Sequence, residues 1–197
     1  TKNYICGEGG ALCVNDLELQ ERAEIIRDKG TNRQMFNRGE VDKYTWVEIG
    51  SSYVPSELCS AFLYGQLELL DYIKERRQRI YEFYSDALAP LANEGLLRLP
   101  SIPDDCTTNY HMFYVVFQSG AARDHALSHM RACAINAVFH YIPLHGSPVG
   151  QGYGYKEGDL PLTEDLSSRL LRLPLFFDIT QAQQTRVVEE LAACLGK

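Results

Sequence analysis

Thr1-Lys2-Asn3, Gly7-Glu8-Gly9-Gly10 and Ala11-Leu12-Cys13-Val14-Asn15-Asp16 open the chain, and this stretch decides how the remainder is read. Three glycines in four residues permit backbone conformations closed to other residues and let a bound group approach the main chain. The apolar run behind them reads as a strand that would hold the glycine turn rigidly. A lysine near a terminus is most often a solvated charge. Beside such a turn Lys2 has a second use, because a desolvated lysine amine attacks aldehydes and, once released, shuttles protons between carbons.

The 197 residues are 45% hydrophobic and 23% charged, enough to bury a core in one or two domains. A formal charge of −7 argues against nucleic acid as a partner, since phosphate backbones need a basic face. No apolar stretch approaches the length of a membrane span, so no membrane partner is expected. The six cysteines, at 6, 13, 59, 106, 133 and 194, include no Cys-x-x-Cys pair, a pattern suited to reduced thiols and a cytoplasmic location.

Working outward, a strand over 10–15 leads to a helix over 16–29, with Asn15 and Glu18 as its cap and Gly30 as its stop signal. Leu19, Ala23 and Ile26 lie on one face of that helix. Residues 31–55 are polar and rich in turn formers, and carry Arg33, Phe36, Arg38, Lys43, Tyr44 and Trp46. Loops of this length are usually functional or disordered, and the aromatic and basic mixture favours function. Ser56 caps a helix carrying Leu58, Phe62, Gln66 and Leu69, and a second helix continues through Ile73, Ile80, Tyr84, Ala87 and Leu91. Its charged run Glu75-Arg76-Arg77-Gln78-Arg79 reads as a solvated face.

After Pro90 and Gly95 the pattern changes to strands. His111 to Phe117 is aromatic and β-branched, a helix follows at about 122–133, and a second strand lies near 137–140. Helices near 163–171 and 181–195 end the chain; Thr180 with Gln183 forms a capping box, and Val187, Val188, Leu191 and Leu195 form the buried face. Strands interleaved with helices predict a small α/β layer from about residue 69. There is no internal repeat.

Other chemistries find little support. His140 and His145 are an odd number of residues apart and face opposite ways in an extended strand, although Pro143 can bend the path. No thiol or carboxylate cluster completes a zinc ligand set at recognisable spacing, so no metal is expected. No cysteine sits in the electropositive context that a Cys–His nucleophile needs.

The segments together resemble the sugar-nucleotide aminotransferases of fold type I, which use pyridoxal phosphate (PLP). In that family the Schiff-base lysine lies in a Thr-Lys-Asn-like context before a Gly-Glu-Gly-Gly turn and a strand ending in Asn-Asp. Gly50-Ser51-Ser52-Tyr53 with Ser56-Glu57-Leu58 and Gln66-Leu67-Glu68 sits where the family has Gly-Tyr-Asn-Tyr-Arg and the helix after it. His140-Tyr141-Ile142-Pro143-Leu144-His145 matches a His-Tyr-x-Pro-Leu-His segment, and Leu173-Pro174-Leu175 a late Leu-Pro-Leu. Residues 29–33 and 42–46, Lys-Gly-Thr-Asn-Arg and Asp-Lys-Tyr-Thr-Trp, resemble one branch in particular. That branch moves an amino group from glutamate to C4 of dTDP-4-keto-6-deoxyglucose for enterobacterial common antigen.

The resemblance implies an α/β chain that is the C-terminal part of such an enzyme. Residues 1–68 would be the tail of the PLP-binding large domain, and residues 69–197 a small C-terminal domain with an antiparallel sheet. It assigns Lys2 as the catalytic lysine, Lys2 and Ser52 as cofactor contacts, and Tyr141 and His145, with Arg33 and Tyr44 on the 31–55 loop, as substrate contacts. Ser52 stands where many members have an asparagine reaching the cofactor phosphate of the neighbouring subunit, and Val54 where they have arginine; the serine keeps a hydroxyl donor. The family works as a homodimer on a sugar nucleotide and glutamate, with the aspartate and ring-stacking residues of the cofactor site upstream. Residues 1–197 alone are therefore expected to be catalytically silent. The alternatives are a non-catalytic dimerisation or sugar-nucleotide-binding module, and a PLP-dependent sugar dehydratase, whose histidine in place of the lysine counts against it.

Overall fold

The computed structural model describes residues 2–197, which divide into two compact units: residues 4–69, and residues 70–197 together with Lys2 and Asn3. In the first unit, α1 (Leu17–Arg27) starts one residue later than expected. Asp16, not Asn15, is its cap, and its side chain accepts from the Glu18 N–H at 2.9 Å. The expected strand over 10–15 does not form. A strand needs a ladder partner for its backbone polar groups, and among the described residues this run pairs with none. The face of Leu19, Ala23 and Ile26 is likewise not buried: α1 has no buried residue, and Leu19 is exposed.

α1 ends at Arg27, two residues before the expected 29, with Lys29 at φ +62 and then Gly30 behind its cap Asp28. At φ +76 the Gly30 N–H reaches back to the Ile25 carbonyl at 2.8 Å, while its own carbonyl accepts from Val47 and Glu48. A Cβ there would sit 1.7 Å from the Glu48 carbonyl oxygen, so only glycine admits this crossing. The returning chain also bridges Thr31 to Trp46 and Asp28 to Ser52. The 31–55 segment is thereby a folded excursion that carries the short helix α2 (Arg33–Asn37). Ser56 caps α3 (Glu57–Glu68) through the Cys59 N–H, as read from the sequence.

The second unit is built on α4 (Leu70–Asn93) and a four-stranded antiparallel sheet of order β1-β2-β4-β3. Its strands are β1 (Leu97–Arg98), β2 (Phe113–Phe117), β3 (Val138–Phe139) and β4 (Leu170–Leu173). Helices α5 (Gly120–Ala132), α6 (Pro148–Gly152), α7 (Pro161–Arg169) and α8 (Gln181–Cys194) fill the connections. Register places Phe113 opposite Leu173 and Val115 opposite Leu171, so one face of the sheet presents all four to the helices. They join Ile80, Tyr84 and Leu88 of α4, Met130 of α5 and Leu191 of α8 in one core. Each such side chain contributes about 1.5–3 kcal/mol on burial. The Thr180–Gln183 capping box starts α8 as predicted.

Two expectations fail in this unit. Residues 170–171 belong to β4 and not to a helix running to 171: Leu171 and Leu173 alternate as buried residues, and Pro174 follows. The charged run of α4 is not wholly solvated either. Arg76 donates to the carbonyls of Phe177 and Ile179 at 3.1 and 2.5 Å, and Arg77 is buried.

Candidate active site

Lys2 is exposed, and its neighbour is anchored: Asn3 Nδ2 donates to the Asn109 carbonyl at 2.5 Å. Asn3 Oδ1 is buried without a hydrogen-bond partner among the described residues. Asn109 Oδ1 accepts from the His111 N–H at 3.2 Å and lies 2.8 Å from His111 Nδ1. Arg77 holds this segment from α4, with Nε and Nη2 donating to the carbonyls of Tyr110 and His111 at 3.2 and 2.7 Å. Tyr110 needs that support, because its φ of +53 is unfavourable for an aromatic residue. Burial, and then the charges of Arg77 and His140, pull the His111 pKa below its ordinary value and favour the neutral ring.

Beyond β3 the chain continues into His140 and Tyr141. Arg172 pairs with Val138 across β3 and β4 and with Tyr114 across β2 and β4, on the sheet face opposite the core. Its guanidinium lies 5.6 Å from the Tyr141 ring centroid, within cation–π range. Tyr141 is 71% exposed. Arg172 Nε and His140 Nδ1 are buried without hydrogen-bond partners among the described residues. Burial, and secondarily Arg172, lowers the His140 pKa. A neutral imidazole, a guanidinium with an unmatched donor and an exposed phenol thus share one edge, which suits a polyhydroxylated or anionic ligand.

His145 lies in a short 3-10 turn (Leu144–Gly146) and is buried. Its Nε2 is 2.7 Å from Glu164 Oε1, which also accepts from the Gly158 N–H at 2.8 Å. Both residues line a cleft of about 260 Å³ with Ile142, Gln151 and Ser167. In the other unit, the Arg33 guanidinium lies 5.9 Å from the Tyr44 ring centroid, and Phe36 packs on the same ring. Asn32 Oδ1 accepts from the Thr45 N–H and fixes the pair. Ser52 is exposed and bridged to Asp28. The six sequence-predicted site residues therefore fall as Lys2, Tyr141 and His145 in one unit, and Arg33, Tyr44 and Ser52 in the other.

Sequence reading missed Asn109, His111 and Arg172, which no spacing rule joins to Lys2. It also missed a potential ligand set. His129, Cys133 and Glu190 bring one nitrogen, one sulfur and one oxygen within 4.8 Å of one another, a grouping that sequence spacing alone does not reveal. The His-x-x-x-Cys spacing, from α5 to its C-cap Cys133, was a visible signal; the glutamate arrives from α8, 57 residues beyond the cysteine.

Residues 1–192 match the model of the DegT/DnrJ/EryC1/StrS aminotransferase family. The chain belongs to that family. Among its relatives is dTDP-3-amino-3,4,6-trideoxy-alpha-D-glucose transaminase of Streptomyces venezuelae, 32% identical over 190 residues, covering 95% of this chain and 46% of that protein. The pleiotropic regulatory protein of Geobacillus stearothermophilus is 30% identical over 194 residues, covering 98% of this chain and 49% of that protein. The crystal structure of the aminotransferase TlmJ from Streptoalloteichus hindustanus superposes with a TM-score of 0.84 at 26% identity, covering 99% of this chain and 50% of TlmJ. The chain thus spans about half the length of the relatives it matches, and its small antiparallel sheet with flanking helices is that of family aminotransferase structures. Among the described residues no helix is long and apolar enough to cross a membrane.

Proposed function

We propose that this chain is the C-terminal portion of a PLP-dependent transaminase that moves an amino group from glutamate to C4 of dTDP-4-keto-6-deoxyglucose, serving enterobacterial common antigen synthesis in the cytoplasm. Residues 1–68 belong to the large domain and 69–197 to the small one, and the working enzyme is a homodimer. The observation that carries the proposal is the family match, which includes Lys2 with its Gly-Glu-Gly-Gly turn.

The residues present fit the lysine side of the cofactor's site. Lys2 is exposed on a pinned neighbour, and the buried acceptor Asn3 Oδ1 lacks a partner among the described residues. When bound, pyridoxal phosphate supplies the aldehyde and the electron-withdrawing ring that let an amino group and a proton be exchanged between two carbon skeletons. Lys2 Nζ would hold the cofactor through its aldehyde and, when free, would take up and return a proton. The exposed Ser52 hydroxyl would donate to the cofactor phosphate of the neighbouring subunit. Tyr141 and His145, with Arg33 and Tyr44, orient the sugar nucleotide, and His111 and Arg172 supply further polar contacts.

The test is product analysis with the purified full-length protein, glutamate and dTDP-4-keto-6-deoxyglucose. An amine at C4, identified by mass and by NMR, is the expected result. Amination only of a 3-keto sugar nucleotide would refute the substrate and leave the reaction class. No amination of any keto sugar nucleotide would remove the transaminase assignment.

A further inference from the structure

His129 and Cys133 stand four residues apart at the C-terminal end of α5, a spacing that puts both side chains on one helix face. Glu190 meets them from α8. Its Oε2 lies 2.9 Å from His129 Nε2 and 3.1 Å from Cys133 Sγ, and the thiol and imidazole are 3.7 Å apart. The framework around them is rigid, since Met130 and Leu191, which flank the donors in sequence, are fully buried in the core. All three donor residues are half-buried, so solvent reaches one side of the cluster.

We propose that His129, Cys133 and Glu190 bind a Zn²⁺-class transition-metal ion, with water in the fourth position. Nitrogen, sulfur and oxygen donors in this number are the chemistry of zinc sites that keep an open coordination place. Zinc bonds of about 2.0–2.3 Å at tetrahedral angles separate the donors by roughly 3.3–3.6 Å. The observed triangle therefore needs shifts of only about half an ångström along its two oxygen edges. A thiolate and a carboxylate balance the dication, and the thiol proton leaves to solvent as the metal enters. Glu190 raises the pKa of the Cys133 thiol and keeps it protonated without a cation; Arg186, which donates to the Cys133 carbonyl at 2.6 Å, works the other way. Binding would staple α5 to α8 in the small-sheet unit, independently of the transaminase chemistry proposed above.

The test is Co²⁺ titration of the full-length protein, followed by Zn²⁺ competition. One equivalent per chain should bind with a near-ultraviolet thiolate-to-cobalt band and the visible bands of four-coordination, and Zn²⁺ should abolish both. Cys133→Ser should lose the thiolate band, and Glu190→Gln should weaken affinity at least about tenfold. Cys106→Ser, at an exposed thiol outside the cluster, should behave as wild type. A second readout is thermal: Zn²⁺ should raise the melting temperature of wild type and of Cys106→Ser, but not of Cys133→Ser or Glu190→Gln. Absence of the thiolate band in wild type overturns the proposal. So does a band or a thermal shift that survives both substitutions, because the ion then sits elsewhere.

Discussion

Nε2 of His145 lies 2.7 Å from Oε1 of Glu164, and the same oxygen accepts the Gly158 N–H. One carboxylate thereby ties the 3-10 turn to α7 and to the loop before it. The bond to His145, with the Gly158 amide second, holds the Glu164 carboxyl below its ordinary pKa. A depressed folded-state pKa contributes stability that is present above the unfolded value and lost as pH falls through the folded one. Glu164→Gln should lower the melting temperature near neutral pH, and the gap from wild type should close as pH falls from about 5 toward 3. Melting curves across that range decide it; a gap that does not change with pH would show that the carboxylate's charge is not involved.

The partner side chains separate substrate contact from structure. In the full-length enzyme, Tyr141→Phe should raise KM for the sugar nucleotide with little change in melting temperature, because Tyr141 is largely exposed. The lost hydrogen bond amounts to about 0.5–1.5 kcal/mol, or roughly twofold to tenfold in kcat/KM. His145→Ala should lower both turnover and stability, since it also releases Glu164. Unchanged kinetics in both variants would return the pair to a purely structural role.

Lys2→Ala should abolish transamination while leaving the secondary structure and melting temperature near wild type, because the residue is exposed and its proposed role is covalent. Borohydride treatment of the wild-type holoenzyme should fix the cofactor on Lys2, read by peptide mass mapping. Fixation on a different lysine would remove the central assignment.

Much of the fold was legible in the residues, and the misses share causes. Ser56 and the Thr180–Gln183 pair announced their helices because a cap is a local interaction, complete within four residues. The 10–15 strand failed because strand formation depends on a partner no local pattern supplies. Leu170–Leu173 was hidden because its leucines continue the spacing of α7, while the burial of Leu171 and Leu173 is set by Phe113 and Val115 across the ladder. The proposal for Lys2 rests on its glycine-rich context. Asn109, His111 and Arg172 were not legible, because each reaches the site edge through tertiary contacts spanning tens of residues. The same holds for Glu190 beside Cys133.

Gly30→Ala tests the crossing in the 4–69 unit. The φ of +76 costs a side chain about 1–2 kcal/mol, and the Cβ would also meet the Glu48 oxygen at 1.7 Å. The variant should expose the 31–55 segment to protease and weaken the Arg33–Tyr44 contact. Wild-type resistance to limited proteolysis would mean that the crossing relaxes without loss.

Arg77 links stability to the site. It is buried, and its guanidinium donates to two successive carbonyls, those of Tyr110 and His111, across a residue held at positive φ. Arg77→Met keeps much of the apolar stem but removes both donors. Each charge-assisted bond contributes about 1.5–3 kcal/mol, and the carbonyls left behind lose their partners, so destabilisation of about 3 kcal/mol is expected. Tyr84→Phe provides the control, because it removes one bond to the Pro174 carbonyl within the same core, at about 0.5–1.5 kcal/mol, and leaves both Arg77 bonds in place. If Arg77 positions the segment that anchors Asn3 beside Lys2, Arg77→Met should reduce kcat well below the control when both are assayed under conditions where each is fully folded. Arg77→Lys, which restores one donor and the charge, should recover part of that loss. Equal kcat in Arg77→Met and Tyr84→Phe would confine Arg77 to holding the fold.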